Sequence, residues 1–361
     1  MTQRVQMALL VCVASGGFVY LLYPRLVTSS TDSGHWVMVL FQGLLQIFFM
    51  LIYKKGLDYF PDKDLIDIFR QMGKWVAFII LVPYAFILTS MVGFGLRAHS
   101  EEIIAILRMS RTPYWAVLAF LVFISAFTAI KGLGTMLRAS VIVFIITNLL
   151  IMFNTLTVTA NFDFYNAFPV WPSSLQFLWD TNFNFLTGFS PLLFLGFVPS
   201  ENNMKYSHLF WVWTYVTFII LLSVYIPLFI FGQETVVKLH YLVEEAVDTV
   251  DMRWFIFSRQ TIFFGMSLIA FTIFLNALLL WKAGQLMQKT FNWKKNKRSY
   301  SIIAFSSLAF LMGLYVPNQY MIEKSVELST GIHALLIVII PLIIFIYGVI
   351  NRRRMAVYEK K

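Results

Sequence analysis

Ser190, in the run Gly188-Phe189-Ser190-Pro191-Leu192, stands two residues after a glycine, as the nucleophile of an acyl-transfer elbow does. Leu192 occupies the place of the second glycine that such an elbow needs, and neither a strand pattern nor a histidine lies nearby. A hydrolase is therefore rejected, and no catalytic residue is assigned. The five histidines, at 35, 99, 208, 240 and 333, show no metal-ligand spacing and fall in loops or near the ends of apolar stretches. "GLGTML" from Gly132 lacks the third glycine and the βαβ context of a nucleotide fingerprint. No metal and no cofactor are expected, and the chain reads as a binding protein rather than an enzyme. The chemistry left is that of the backbone, at two places where small residues and proline interrupt apolar stretches. One is Ser15-Gly16-Gly17 in "SGGFVYLLYPR"; the other is Gly188, Ser190, Pro191, Gly196 and Pro199 in "FNFLTGFSPLLFLGFVPS".

The elements that must position these residues are membrane spans. Of the 361 residues 59% are hydrophobic and 13% charged, and the mean hydropathy is +0.74; soluble domains are roughly 25% charged. Stretches of about 20 apolar residues, enough to cross roughly 30 Å of hydrocarbon, recur along the chain. Ten spans are expected, at 7–27, 35–53, 75–96, 115–130, 137–159, 183–198, 209–231, 254–280, 301–316 and 332–350. The first is read as a retained helix rather than a signal peptide, because no small-x-small cleavage site follows it. The single cysteine, Cys12, excludes an internal disulfide.

Ten spans put both termini on one face. With that face inside, inner segments hold 20 of the 28 Lys and Arg residues, so both termini are expected in the cytoplasm. The net charge of +10 collects just beyond helix ends, in runs such as "NWKKNKRS" and "NRRRMAVYEKK". Anionic lipid headgroups account for it, and nucleic acid is not an expected partner. The connection 160–182, free of Lys and Arg and rich in aromatics, is expected at the membrane interface. Ser100, followed by two glutamates, is expected to cap a short surface helix ending before Pro113.

The interrupted spans are the first and the sixth, corresponding members of two five-helix halves. Five is odd, so the second half starts on the opposite face and the halves form an inverted pair. The expected organisation is one transmembrane domain over 1–361: a first repeat at 1–159, an outer loop at 160–182, and a second repeat with a basic tail at 183–361. In inverted-repeat transporters, paired discontinuous helices at mid-membrane offer freed amides to a carboxylate and freed carbonyls to a cation or ammonium. Close helix packing at small residues accounts for either interruption alone; the matched pair favours a binding role. No Asp or Glu is found in the middle of a span, where proton carriers commonly place one. Arg138 offers a fixed charge or a helix-end anchor, not a proton relay.

Ten spans with interruptions in the first and sixth resemble the LeuT-like fold of the amino acid-polyamine-organocation superfamily. Within it, "GGFVYLLYPR", "DSGHWVMVL", "RTPYW", "GLGTMLR" and "FSPLLFLGFVP" resemble the B subunit of bacterial spore germinant receptors. Gly132 and Arg138 match a Gly-to-Arg spacing of that family, and Thr112-Pro113-x-Trp115 matches its approach to span four. Around Arg259 the family often has acidic residues, whereas Ser258 and Gln260 stand here. The resemblance implies a subunit of the spore inner membrane that binds a small nutrient, often an amino acid, and works with an A subunit and a lipoprotein C subunit. It also implies a pocket made by spans one, three, six and eight. The residues carried over are Ser15, Gly16, Gly17, Gly188, Phe189 and Ser190, with Tyr84 and Ser267 from mid-depth in spans three and eight. The alternative function is an active amino acid transporter, ion- or proton-coupled, using the same pocket.

Overall fold

The computed structural model describes residues 2–188, 190–250, 260–294 and 297–358, without the side chains of 353–358. Among the described residues every regular element is helical. The first span is two helices, α1 (Gln3–Val19) and α2 (Tyr23–Ser30), meeting at 57°. After it come α3 (His35–Asp58), the short amphipathic α4 (Leu65–Met72), α5 (Lys74–Ile106), α6 (Tyr114–Lys131) and α7 (Leu133–Val158). The second half contains α8 (Thr181–Thr187), a 3-10 turn at Leu192–Phe197, α9 (Tyr206–Phe231), α10 (Gln233–Val236), α11 (Leu242–Asp248), α12 (Thr261–Thr290), α13 (Lys297–Tyr315) and α14 (Gln319–Tyr358).

Seven of these helices, α3, α5, α6, α7, α9, α12 and α14, are long and apolar enough to cross a bilayer, and the bent α1–α2 pair makes an eighth span. The other two expected spans take different forms. Serines 299, 301, 306 and 307 dilute the apolar character of α13, and the sixth span divides into α8 and the 3-10 turn.

The helices are sorted by depth. In α12, 67% of the apolar stretch is buried, against 22% in α7. Ile142, Ile146, Leu149 and Met152 on α7, and Phe120, Phe123 and Phe127 on α6, face outward, as lipid-facing positions do where the backbone satisfies its own hydrogen bonds. The core therefore lies along α12, with α1, α5 and α6 against it, while α14 packs on α3 and α5. Both interruptions meet that core.

Three expectations are corrected. Ser100 does not cap a separate surface helix, because α5 runs unbroken to Ile106 and the Ser100 hydroxyl donates to the Leu96 carbonyl one turn back, at 2.6 Å. The extension brings Glu102 into the last turns of a span helix at 2% exposure, a buried acid near the span's end rather than in its middle. Lys282 and His333 are not end residues. Their helices run beyond the apolar stretches, α12 to Thr290 and α14 back to Gln319, and both side chains are fully buried. The polar run 319–331 remains helical because its partners are polar too; Glu323, for instance, pairs with Arg25 and His240 at 2.6 and 2.9 Å.

In the connection 160–182, Asn166 donates to the Phe229 carbonyl at 2.9 Å and the Trp36 indole donates to the Val170 carbonyl at 2.9 Å. These bonds hold it over the ends of α3 and α9. Tyr165, Trp171 and Trp179 remain exposed.

Candidate functional site

The first span does not break at its glycines. Ser15, Gly16 and Gly17 are helical within α1, and the chain turns at Tyr20–Leu22, a turn further on. Pro24 supplies the reason. Its ring crowds the carbonyl four residues back, that of Tyr20, and it lacks an amide, so it suits the start of a new helix. Pro24 thus opens α2 instead of ending the span. The glycines let α12 approach: a Cβ on Gly16 would sit 2.7 Å from the Phe271 ring, and one on Gly17 2.9 Å from Leu275.

The sixth span follows the same rule more severely. Its α8 stops at Thr187, four residues before Pro191, and Gly188, Ser190 and Pro191 lie outside the helix. The Ser190 hydroxyl accepts from the Leu192 amide at 3.3 Å, which starts the 3-10 turn. A Cβ on Gly188 would fall 1.9 Å from the Thr330 carbonyl on α14, so backbone meets backbone there. His333, also on α14, donates from Nδ1 to the Gly188 carbonyl at 2.9 Å, satisfying an acceptor that the lost helix has freed. Gln42 on α3 donates to the Phe183 carbonyl and accepts from Thr187 at 3.2 Å, which ties α8 to α3.

Ser15 and Ser190 share one cavity between α1, α3, the second break and α9, lined also by Gln46, Met50, Trp213 and Thr217. About 20 Å³ of it is open to a water-sized sphere. That is room for about one water, against the roughly 300 Å³ or more of a small-molecule pocket. A second cavity of about 10 Å³ lies at the first break, among Leu21, Gly95, His99, Asn276 and Thr330. The arrangement is closed around both interruptions.

The other expected residues are dispersed around this centre. Tyr84 is fully buried on α5, its ring stacked on His333 at 6.1 Å and its hydroxyl without a partner among the described residues. Ser267 is buried on α12, and its hydroxyl turns back to the Phe263 carbonyl at 3.2 Å rather than toward either cavity. Phe189 and Arg259 lie outside the described residues. Gly132 joins α6 to α7 at φ +88°, and Arg138 is exposed one turn into α7, remote from the cavities.

Residues that the sequence reading missed complete the site. His99 and Glu102 are buried together, Nδ1 to Oε2 at 3.2 Å, and the other side of the ring faces the Gly17 backbone without a well-formed hydrogen bond. Their signal is present as "HSEE", which reads locally as the capped start of a surface helix. At one end of the bundle Arg25 and His240 hold Glu323. Burial there lowers the His240 imidazole, and Arg25 adds to the lowering against the opposing pull of Glu323. At the other end Lys289 bridges Asp64 and Asp67, at 2.5 and 2.9 Å. Burial raises the Asp64 carboxyl in spite of Lys289. Burial acts upward on Asp67 as well, but its bonds to Lys289 and Asp64 prevail and hold it below the ordinary value. Both ends are thus tied by charged side chains.

Two discontinuous helices set into a bundle around α12 define a membrane protein of the LeuT-like transporter fold. The solved structure of MhsT in complex with L-phenylalanine superposes with a TM-score of 0.66 over 93% of this chain and 87% of MhsT, at 11% identity. A manganese transporter from Eremococcus coleocola superposes at 0.55 over 95% of this chain and 78% of that one, at 9% identity. At such identities the likeness is one of fold.

The chain belongs to the spore germination protein family, whose model matches residues 2–322. It is 27% identical over 152 residues to the spore germination protein YndE of Bacillus subtilis (strain 168). That alignment spans 42% of each chain.

Proposed function

We propose that this protein is the nutrient-sensing membrane subunit of a spore germinant receptor, binding a small nutrient, an amino acid by preference, between its two interrupted spans. The observation that carries the reading is the cavity shared by Ser15 and Ser190, one from each interrupted span. Freed backbone groups at such interruptions suit the carboxylate and ammonium of one small zwitterion. The amino acid in the MhsT structure supports that class of ligand. The nutrient is bound and released without chemical conversion.

In this reading the closed arrangement is one of two states. A nutrient that prefers one state shifts the population by its differential affinity; going from 1:99 to 99:1 takes about a 10⁴-fold preference. The change passes to an A subunit and a lipoprotein C subunit in the inner membrane of the spore, with both termini of this chain in the cytoplasm. Spores carrying Gly17→Leu or Gly188→Leu, shown to be inserted and folded, are expected to lose their dose response to one nutrient. An unchanged dose response overturns the assignment.

A second reading, an amino acid carrier coupled to protons, is favoured by the buried His99–Glu102 pair beside the first break. Intramembrane ionisable pairs mark proton relays in many pumps and transporters. Protein reconstituted into vesicles and accumulating labelled amino acid along a proton gradient supports the carrier and removes a sensing-only role.

A further inference from the structure

Lys282 is the least expected residue of the core. It lies on α12 at 0% exposure, and its ammonium has no hydrogen-bond partner and no carboxylate among the described residues. Its nearest company is aromatic. Nζ is 6.0 Å from the ring centres of both Tyr84 and Phe197, too far for more than a weak cation–π attraction. Three more buried polar atoms around it are also without partners: the Tyr84 hydroxyl, the Trp281 indole nitrogen and Nε2 of His333. The rings carrying them adjoin one another. His333 stacks on Tyr84 at 6.1 Å, Tyr84 is 6.4 Å from Phe197, and Phe197 is 6.0 Å from Trp281.

Buried polar groups in native proteins are nearly always bonded, and a buried charge calls for a counter-charge. Here four unsatisfied atoms sit on neighbouring side chains of three helices, and most of them are donors. Lys282 offers three N–H bonds and Trp281 one, and the Tyr84 hydroxyl can donate. With Nδ1 donating, Nε2 of His333 can accept one of these bonds at most, so most of the donors face no acceptor among the described residues, and an anion would supply it.

We infer that Lys282, Tyr84 and Trp281 form a buried binding site for a small monovalent anion, a carboxylate or a halide, at the junction of α5, α12 and the 3-10 turn of the sixth span. His333 positions it. One face of its ring stacks on Tyr84 while Nδ1 holds the Gly188 carbonyl, so the anion site is mechanically joined to the second break. The site has the charge to take either an inorganic anion or the carboxylate of a small nutrient; only the latter source depends on the nutrient-binding reading.

The test is thermal unfolding of the purified full-length protein in sodium gluconate, whose anion is too bulky for the site, with sodium chloride or sodium acetate titrated in. Chloride or acetate should raise the midpoint saturably, and Lys282→Gln should weaken that effect at least about thirty-fold, the loss of one charged hydrogen bond. Tyr84→Phe keeps the ring and should weaken it several-fold, which tests the site even if Lys282→Gln folds poorly. A response to chloride alone assigns an inorganic anion, and a response to acetate assigns a carboxylate. No saturable response to either salt overturns the site, as does an equal response in wild type and Lys282→Gln. Such a failure leaves the nutrient-binding reading intact, because that reading is tested separately at Gly17 and Gly188.

Discussion

The first and sixth spans are interrupted in the same way but secured differently. Each helix gives out where a proline crowds the carbonyl four residues earlier, Pro24 against Tyr20 and Pro191 against Thr187. After the first interruption a regular helix resumes within three residues; after the second only a 3-10 turn forms. The neighbours make the difference. A Cβ on Gly16 or Gly17 would meet chiefly side chains of α12, with the Phe271 carbonyl 3.1 Å from the one on Gly17, whereas one on Gly188 would meet only the backbone of α14, at 1.9 Å. A buried histidine attends each break. His333 makes its bond to Gly188, while His99 spends its bond on Glu102 and only faces Gly17. Proline alone is not sufficient, since α5, α9 and α14 continue through Pro83, Pro227 and Pro341. At the second break the proline coincides with a neighbour, His333, that satisfies the freed Gly188 carbonyl.

The largest expected effect separates the two glycine sites. Gly188→Ala places a methyl against the Thr330 carbonyl and should destabilise the protein by about 3 kcal/mol or more, whereas Gly17→Ala should cost about 1–2 kcal/mol as Leu275 shifts. Unfolding midpoints in detergent measure both, and equal losses would erase the distinction between backbone and side-chain neighbours. The histidines come next. His333→Ala orphans the Gly188 carbonyl and should cost about 1–3 kcal/mol, and His333→Gln, which can still donate, should recover part of it. His99→Ala should leave the Gly188 side untouched, which amide exchange around residues 186–195 would register.

A pH dependence is also expected, and Glu244 carries it. Glu244 on α11 is pushed up to about 8 by burial, then by the charges of Glu102, Glu245 and Asp248. Between the ordinary value of 4.5 and about 8 the folded state holds a proton that the unfolded chain has lost. Stability should therefore fall as pH rises through that window. Glu244→Gln should flatten the slope, and an unaltered slope would mean that Glu244 ionises as an exposed acid.

The sequence disclosed which spans are interrupted but not where. Glycine clusters marked the first and sixth spans correctly, because small residues are needed wherever helices come close. At Gly16–Gly17, however, the need is packing against α12, and the turn belongs to Pro24, a residue that reads equally well as a helix end. Hydropathy also set helix limits too short. The polar starts of α14 and the end of α5 are helical because each finds polar partners elsewhere in the chain, and no local pattern records those partners. Lys282 was hidden for the same reason: a lysine near the end of an apolar stretch reads as a headgroup anchor, and only the extended α12 turns it inward. Ser15 and Ser190 were legible as candidates, but their shared cavity is a product of the fold.

The central claim is that the two interrupted spans bound one ligand site at that cavity. Its most direct test is the rate at which a small thiol reagent labels Ser190→Cys in a Cys12→Ala background, with alanine, valine or phenylalanine added in turn. An amino acid that triggers germination should slow labelling by at least about tenfold, by filling the space between Ser15 and Ser190. Unchanged labelling in the presence of an amino acid shown by equilibrium dialysis to be bound would place its site elsewhere and contradict the account.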